Sequence, residues 1–234
     1  MIKKAMILAA GFGKRIHPLT LKCPKPLLKI GNETLLSNTI KFIEKFGIKE
    51  VVINVHYLKE QIIEYLGKNQ FNLKIHIVSE ESSILGTGGG VVNAINYFSK
   101  DPFLVINPDT LWSSNYIEEL KLMEKLFFDS QKKCALLVSN KNNSFDKTLK
   151  GDFNLSNNKI SRNANDNLSF IYTGLQIMNP NVFNNLKNNF FSMNLIWDKL
   201  TEENNLIGYE SKNEFLHVST LKIYNLILNK KIKH

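Results

Sequence analysis

Cysteine is scarce: the 234 residues contain two, Cys23 and Cys134, with no paired spacing. That leaves no basis for a disulfide framework or a cysteine-based zinc site, and it suits a reducing cytoplasm. Long apolar runs are missing too. No segment approaches the roughly 20 apolar residues of a membrane span. The N-terminus, Met1–Ala10, imitates the apolar part of a signal peptide, but it is short. It leads into Gly11-Phe12-Gly13-Lys14-Arg15 rather than a cleavage site, so it reads as a buried strand. Internal repeats, flexible linkers and basic blocks are also lacking. The net charge of +9 is spread over lysines scattered among Asn and Ile, which describes a solvated surface and not a clustered nucleic-acid face. No recognisable nucleic-acid motif is present, and a positive cleft would instead attract small polyphosphates.

What is present is a chain that is 43% hydrophobic and long enough for one sizeable core. Apolar, β-branched runs at 5–10, 51–55, 73–78, 103–107 and 134–138 predict strands. Amphipathic stretches at 35–46, 59–66, 91–98 and 116–127 predict helices. Strands apolar on both faces and alternating with helices imply an α/β fold with a mostly parallel sheet flanked by helices. Ligands of such sheets gather at the carboxyl ends of the strands. The second half is less regular. It predicts a hairpin at 153–161, a strand at 170–178, helices at 180–186 and 193–201, strands at 206–209 and 214–218, and a helix at 220–228. One domain over 1–234 is expected, with a regular half to about 110 and a smaller, less regular lobe after it.

Five segments carry chemistry. In the first, a strand runs into Ala10-Gly11-Phe12-Gly13-Lys14-Arg15, followed by Pro18-Leu19-Thr20 and Pro24-Lys25-Pro26-Leu27. Glycines let a backbone approach phosphates closely and offer amide donors. Arg15, permanently charged and planar, suits charge developing in phosphoryl transfer, and Lys25 can neutralise a further phosphate. A dinucleotide fingerprint fails because Ile16 stands where a third glycine is needed, and a P-loop fails because Arg15 follows Gly13-Lys14. The second segment is Leu85-Gly86-Thr87-Gly88-Gly89-Gly90, read as a loop whose backbone meets a nucleobase. The third is an apolar strand ending in Asn107-Pro108-Asp109, whose carboxylate suits Mg²⁺. The fourth is Phe215-Leu216-His217-Val218-Ser219-Thr220. The fifth pairs Gly151-Asp152-Phe153 with Phe170-Ile171-Tyr172-Thr173-Gly174-Leu175, where Gly174 would let a sugar approach the strand.

The first segment resembles the signature of the sugar-1-phosphate nucleotidyltransferases: Gly-x-Gly-x-Arg, Pro-Leu-Thr, then Pro-Lys-Pro-Leu. Thr87-Gly88-Gly89-Gly90 and the Gly-Asp-Phe trio are similar to the short N-acetylmuramate-1-phosphate uridylyltransferases. The resemblance implies a Rossmann-like sheet of the nucleotide-diphospho-sugar transferase type and Mg²⁺-dependent chemistry. It implies Arg15 and Lys25 as catalytic. Ala10, Gly11, Gly13, Lys14, Glu81, Gly86, Thr87 and Gly88 would meet the nucleotide. Asn107, Asp152 and Gly174 would meet the sugar; the family's Glu-Lys-Pro motif is absent, and Arg162 stands as a substitute phosphate binder on the sugar side. Asp109 and His217 would meet the metal, His217 standing where the family has an Asp. The implied partners are a nucleoside triphosphate, UTP first, and a sugar 1-phosphate, with neither nucleic acid nor membrane; the oligomeric state is open. Hexose 1-phosphate or phosphocholine as acceptor, and a non-catalytic nucleotide-sugar sensor, stay open as alternatives. Pro108, His217 and Ser219 favour the sensor, and Arg15, Lys25 and Asp109 oppose it.

Overall fold

The structure is a computed structural model that describes residues 1–81, 83–162, 167–187 and 189–230. In chain order its elements are β1 (Lys4–Leu8), β2 (Lys29–Ile30), β3 (Glu33–Thr34), α1 (Leu35–Phe46), β4 (Glu50–Val55), α2 (Lys59–Lys68), β5 (Lys74–Ser79) and α3 (Gly86–Ala94). There follow β6 (Phe103–Ile106), α4 (Tyr116–Ser130), β7 (Cys134–Asn140), β8 (Asn154–Ser156), β9 (Lys159–Ser161), β10 (Phe170–Met178), α5 (Met193–Glu202), β11 (Leu206–Ser211) and α6 (Leu221–Asn229).

Nine strands form one sheet in the order β5-β4-β1-β6-β10-β7-β11-β9-β8. β5, β4, β1 and β6 run parallel, as the alternation of strand and helix requires. β10 enters antiparallel between β6 and β7, and β11 is parallel to β7. Side chains alternate across the sheet. Ala5, Ile7, Val51 and Ile53 enter the core under α1 and α4, while Met6, Val52 and Val105 enter the core under α3 and α5. α1 shows how a local sequence sets an element. Thr34 caps it by accepting from the Ser37 amide, Leu36, Ile40 and Ile43 bury one face, and Gly47 at φ 112° ends it in the left-handed region.

Three expectations change. The helix expected from Val91 begins at Gly86, so the triple glycine lies inside α3. The helix expected over 180–186 is a short 3₁₀ turn, Pro180–Phe183. The strand expected over 214–218 is an irregular crossing segment that makes single bridges, Ser144 with Phe215 and Thr110 with His217. It passes from one segment to another and stays beside neither long enough to build a ladder. The predicted hairpin is present as β8–β9, turned by Asn157 and Asn158 at φ 49° and 62°, as a tight primed turn demands. Among the described residues, no helix is long and apolar enough to cross a membrane.

Candidate active site

A cavity of about 380 Å³ opens at the carboxyl ends of β1 and β6, and Gly11, Arg15, Lys25, Thr87, Asn107 and Asp109 are among its walls. Leaving β1, the chain turns through Gly13 at φ 64° into a single 3₁₀ turn, Lys14–Ile16. Gly13 is packed tightly, because a Cβ there would sit 3.0 Å from Thr20. Gly11 is different: a Cβ would meet nothing within 4 Å. Its missing side chain therefore keeps the cavity floor open to a ligand rather than serving the fold. Arg15 is exposed at this rim, and Ile16 beside it is fully buried, anchoring the turn. Lys14 leans over the Phe12 ring at 5.4 Å.

Lys25 reaches across the cavity, and its Nζ lies 2.5 Å from Asp109 Oδ2, joining groups 84 residues apart. Burial opposes the charge on Asp109, but Lys25 and His217 more than offset it and hold the carboxyl at about 2. The other oxygen, Oδ1, is buried without a hydrogen-bond partner among the described residues, and so is Nδ1 of His217. The two are 3.6 Å apart. Burial lowers the proton affinity of His217, against the pull of Asp109.

Two polar residues at strand ends, Asn54 and Glu80, tie the walls together. The Ala9 amide donates to Asn54 Oδ1 (2.9 Å), Asn54 Nδ2 donates to Glu80 Oε1 (2.6 Å), and the Leu85 amide donates to Glu80 Oε2 (2.7 Å). Glu80 is 2% exposed. Glu81, the residue expected at the nucleotide, is exposed instead and pairs with Lys59. The signal was available: Asn54 and Glu80 are polar residues closing apolar strands, at the edge where ligands gather.

Gly86 and Thr87 line the cavity, whereas Gly88 packs behind it against Phe191. A Cβ on Gly88 would fall 2.2 Å from the Phe191 ring, and one on Gly89 would fall 2.2 Å from the Asn189 carbonyl. The Gly88 and Gly89 amides donate to the Phe191 carbonyl, and Thr87 Oγ1 accepts from the Met193 amide at the start of α5. Of the residues expected at the sugar, Asn107 lines the cavity, whereas Asp152, Arg162 and Gly174 lie outside it. Gly174 (φ 93°) leaves its space to Asn107, whose Cβ would be 3.0 Å from a Cβ there. Asp152 accepts from the Tyr172 amide, and Arg162 lies against the Phe153 ring with Asp198 at 3.3 Å. Ala10, Gly11, Gly13 and Lys14 all line the cavity.

The sequence pattern of the nucleotidyl transferase family matches residues 4–145, more than half of the chain. The chain belongs to that family. This nucleotidyltransferase is 25% identical over 221 residues to the N-acetylmuramate alpha-1-phosphate uridylyltransferase of Caulobacter vibrioides, covering 92% of this chain and 91% of that one. It is 30% identical over 199 residues to the mannose-1-phosphate guanyltransferase of Aspergillus oryzae, covering 79% of this chain and 51% of that longer one. Its fold matches the structure of a UDP-glucose pyrophosphorylase complexed with UDP-glucose, with a TM-score of 0.80 over 98% of both chains at 19% identity. The mostly parallel Rossmann-like sheet is thus of the nucleotide-diphospho-sugar transferase type.

Proposed function

We propose that this nucleotidyltransferase joins UTP to N-acetylmuramate 1-phosphate in the cytoplasm, for cell-wall recycling, releasing pyrophosphate and the nucleotide-sugar. The observation that carries the reaction class is the convergence at one cavity of the Gly11–Gly13 backbone, Arg15, Lys25 and Asp109. The choice of substrates rests on the uridylyltransferase relative and on the Thr87-Gly88-Gly89-Gly90 and Gly-Asp-Phe segments.

A phosphate oxygen of the sugar 1-phosphate attacks the α-phosphorus of UTP. The new P–O bond forms as the bond to the β-phosphate bridge breaks, and pyrophosphate carries off the electron pair. The nucleophile is already ionised at neutral pH, so no general base is required. The chain's task is to align two anions and spread their charge. The Gly11–Gly13 turn receives the triphosphate, Arg15 steadies charge at the α-phosphorus, and Lys25 meets a phosphate oxygen. Asp109 Oδ1, buried and without a hydrogen-bond partner among the described residues, is the oxygen donor that fits Mg²⁺, which when bound would supply further charge neutralisation. Gly86 and Thr87 face the base, and Asn107 faces the sugar phosphate.

The test is pyrophosphate release by purified protein with Mg²⁺ across UTP, CTP, ATP, GTP and dTTP, each against N-acetylmuramate 1-phosphate, hexose 1-phosphates and phosphocholine. Release with UTP and N-acetylmuramate 1-phosphate is expected. Release with GTP and mannose 1-phosphate instead would overturn the substrates and keep the chemistry. Silence from protein that binds nucleotide would overturn the enzyme in favour of a sensor.

A further inference from the structure

We propose that the cation of this site is held by one oxygen and one nitrogen, Asp109 Oδ1 and His217 Nδ1, so that the protein prefers a first-row transition ion, Co²⁺ above Mn²⁺, over Mg²⁺. The inference rests on the reading of Asp109 as a cation ligand and adds what the nitrogen of His217 does to the choice of ion.

Both atoms are buried, and neither has a hydrogen-bond partner among the described residues. A buried polar atom left so is costly unless something else completes it. Their separation of 3.6 Å is too long for a hydrogen bond. Two donors each roughly 2.1 Å from one cation, at angles of about 90–110°, stand about 3.0–3.4 Å apart. The pair is within a few tenths of an ångström of that spacing.

The surrounding contacts fix both groups. Val218 N donates to the Asp109 carbonyl (2.8 Å). Thr110 and His217 share a bridge, and the imidazole lies nearly parallel to Phe215, at 11°. The competing partners are already engaged. Lys25 takes Oδ2 of Asp109 and leaves Oδ1. The nearby carboxylate of Asp146 is occupied by Ser219 Oγ on one oxygen and by the Thr148 amide and hydroxyl on the other. The donor set thus offers one hard and one borderline atom. Mg²⁺ asks for an all-oxygen octahedron, whereas imidazole favours later first-row ions in the order Mn²⁺ below Co²⁺.

The experiment uses the full chain labelled with ¹⁵N-histidine, loaded with Mn²⁺ alone and with Mn²⁺ plus UTP, and reads ¹⁵N hyperfine coupling by pulsed EPR. The chain has five histidines, so His217→Asp supplies the assignment and His217→Asn serves if that variant does not fold. Dissociation constants for Mg²⁺, Mn²⁺ and Co²⁺ are measured in parallel by calorimetry. Directly bonded ¹⁵N coupling in the parent, lost in the variant, is expected, with the Co²⁺-over-Mg²⁺ affinity ratio falling at least tenfold in His217→Asp. Bound Mn²⁺ without coupling, or a ratio unchanged by the substitution, overturns the inference. Pyrophosphate release without coupling overturns this inference alone. Coupling in protein that releases no pyrophosphate supports it and overturns the proposed reaction.

Discussion

Arg15 is exposed at the cavity rim while its neighbour Ile16 is buried, so the turn is pinned and the guanidinium is free to meet a ligand. Its field also reaches His217 and disfavours a second positive charge there. Replacing Arg15 by Ala should therefore leave the fold intact and remove charge stabilisation that grows in the transition state. The expected result is a fall in kcat of about a hundred- to a thousand-fold, with UTP affinity changed far less. Steady-state kinetics beside calorimetric UTP binding checks this; near-normal turnover would remove Arg15 from the chemistry. Arg15, Lys25 and Asp109 were legible as residues because glycine, cations and a strand-end carboxylate each have few reasons to stand where they do. The pairing of Glu80 with Asn54 is not legible in the sequence, because the two side chains come together only through the β4–β5 pairing, 26 residues apart. Glu80 and Glu81 look alike in sequence, but just past β5 the first is buried against Asn54 and the second is exposed and pairs with Lys59.

α3 shows what three consecutive glycines do. Read along the chain they weaken helix and suggest a loop, yet the helix starts at Gly86. Tertiary contact accounts for it. The carbonyl of Phe191 caps the amides of Gly88 and Gly89, and the Phe191 ring lies where a side chain at 88 would stand. In return Thr87 caps the start of α5. The glycines thus let two helix beginnings interlock beside the cavity wall, a long-range contact that no local pattern displays. Gly88→Ala should cost about 1–3 kcal/mol by overpacking and raise KM for the nucleotide by displacing Thr87. The double variant Gly88→Ala/Phe191→Ala should recover part of the loss of Gly88→Ala, measured as a double-mutant cycle in denaturant unfolding. Additive losses would show that the ring and the glycine do not constrain each other.

Across the whole molecule, the parallel half was legible because its strands are apolar on both faces and separated by amphipathic helices. The entry of β10 between β6 and β7 was not, since an apolar strand looks the same in either direction and its neighbours are set by pairing partners far away. Lys25, Asp109 and His217 meet through this arrangement, from the N-terminal turn, the end of β6 and the crossing segment near the C-terminus. Their electrostatics therefore bear on the stability of the assembled fold. Burial works against ionised Asp109, yet Lys25 and His217 bring its carboxyl from 3.8 to about 2. A depressed carboxyl pKa contributes stability that is fully present above the unfolded value and is lost as pH falls through the folded one. Here the window runs from about pH 4 down to about pH 2, and the amount is on the order of 2 kcal/mol. A chain of net charge +9 loses stability in acid for general reasons as well, through the repulsion added as carboxylates protonate. The readout is therefore a difference. Asp109→Asn lacks the titrating group and keeps the rest, so its stability should fall less steeply than that of the parent between pH 4 and pH 2. Chemical denaturation at closely spaced pH values measures both slopes, and parallel curves would show that the Lys25–Asp109 pair does not couple the three segments to folding.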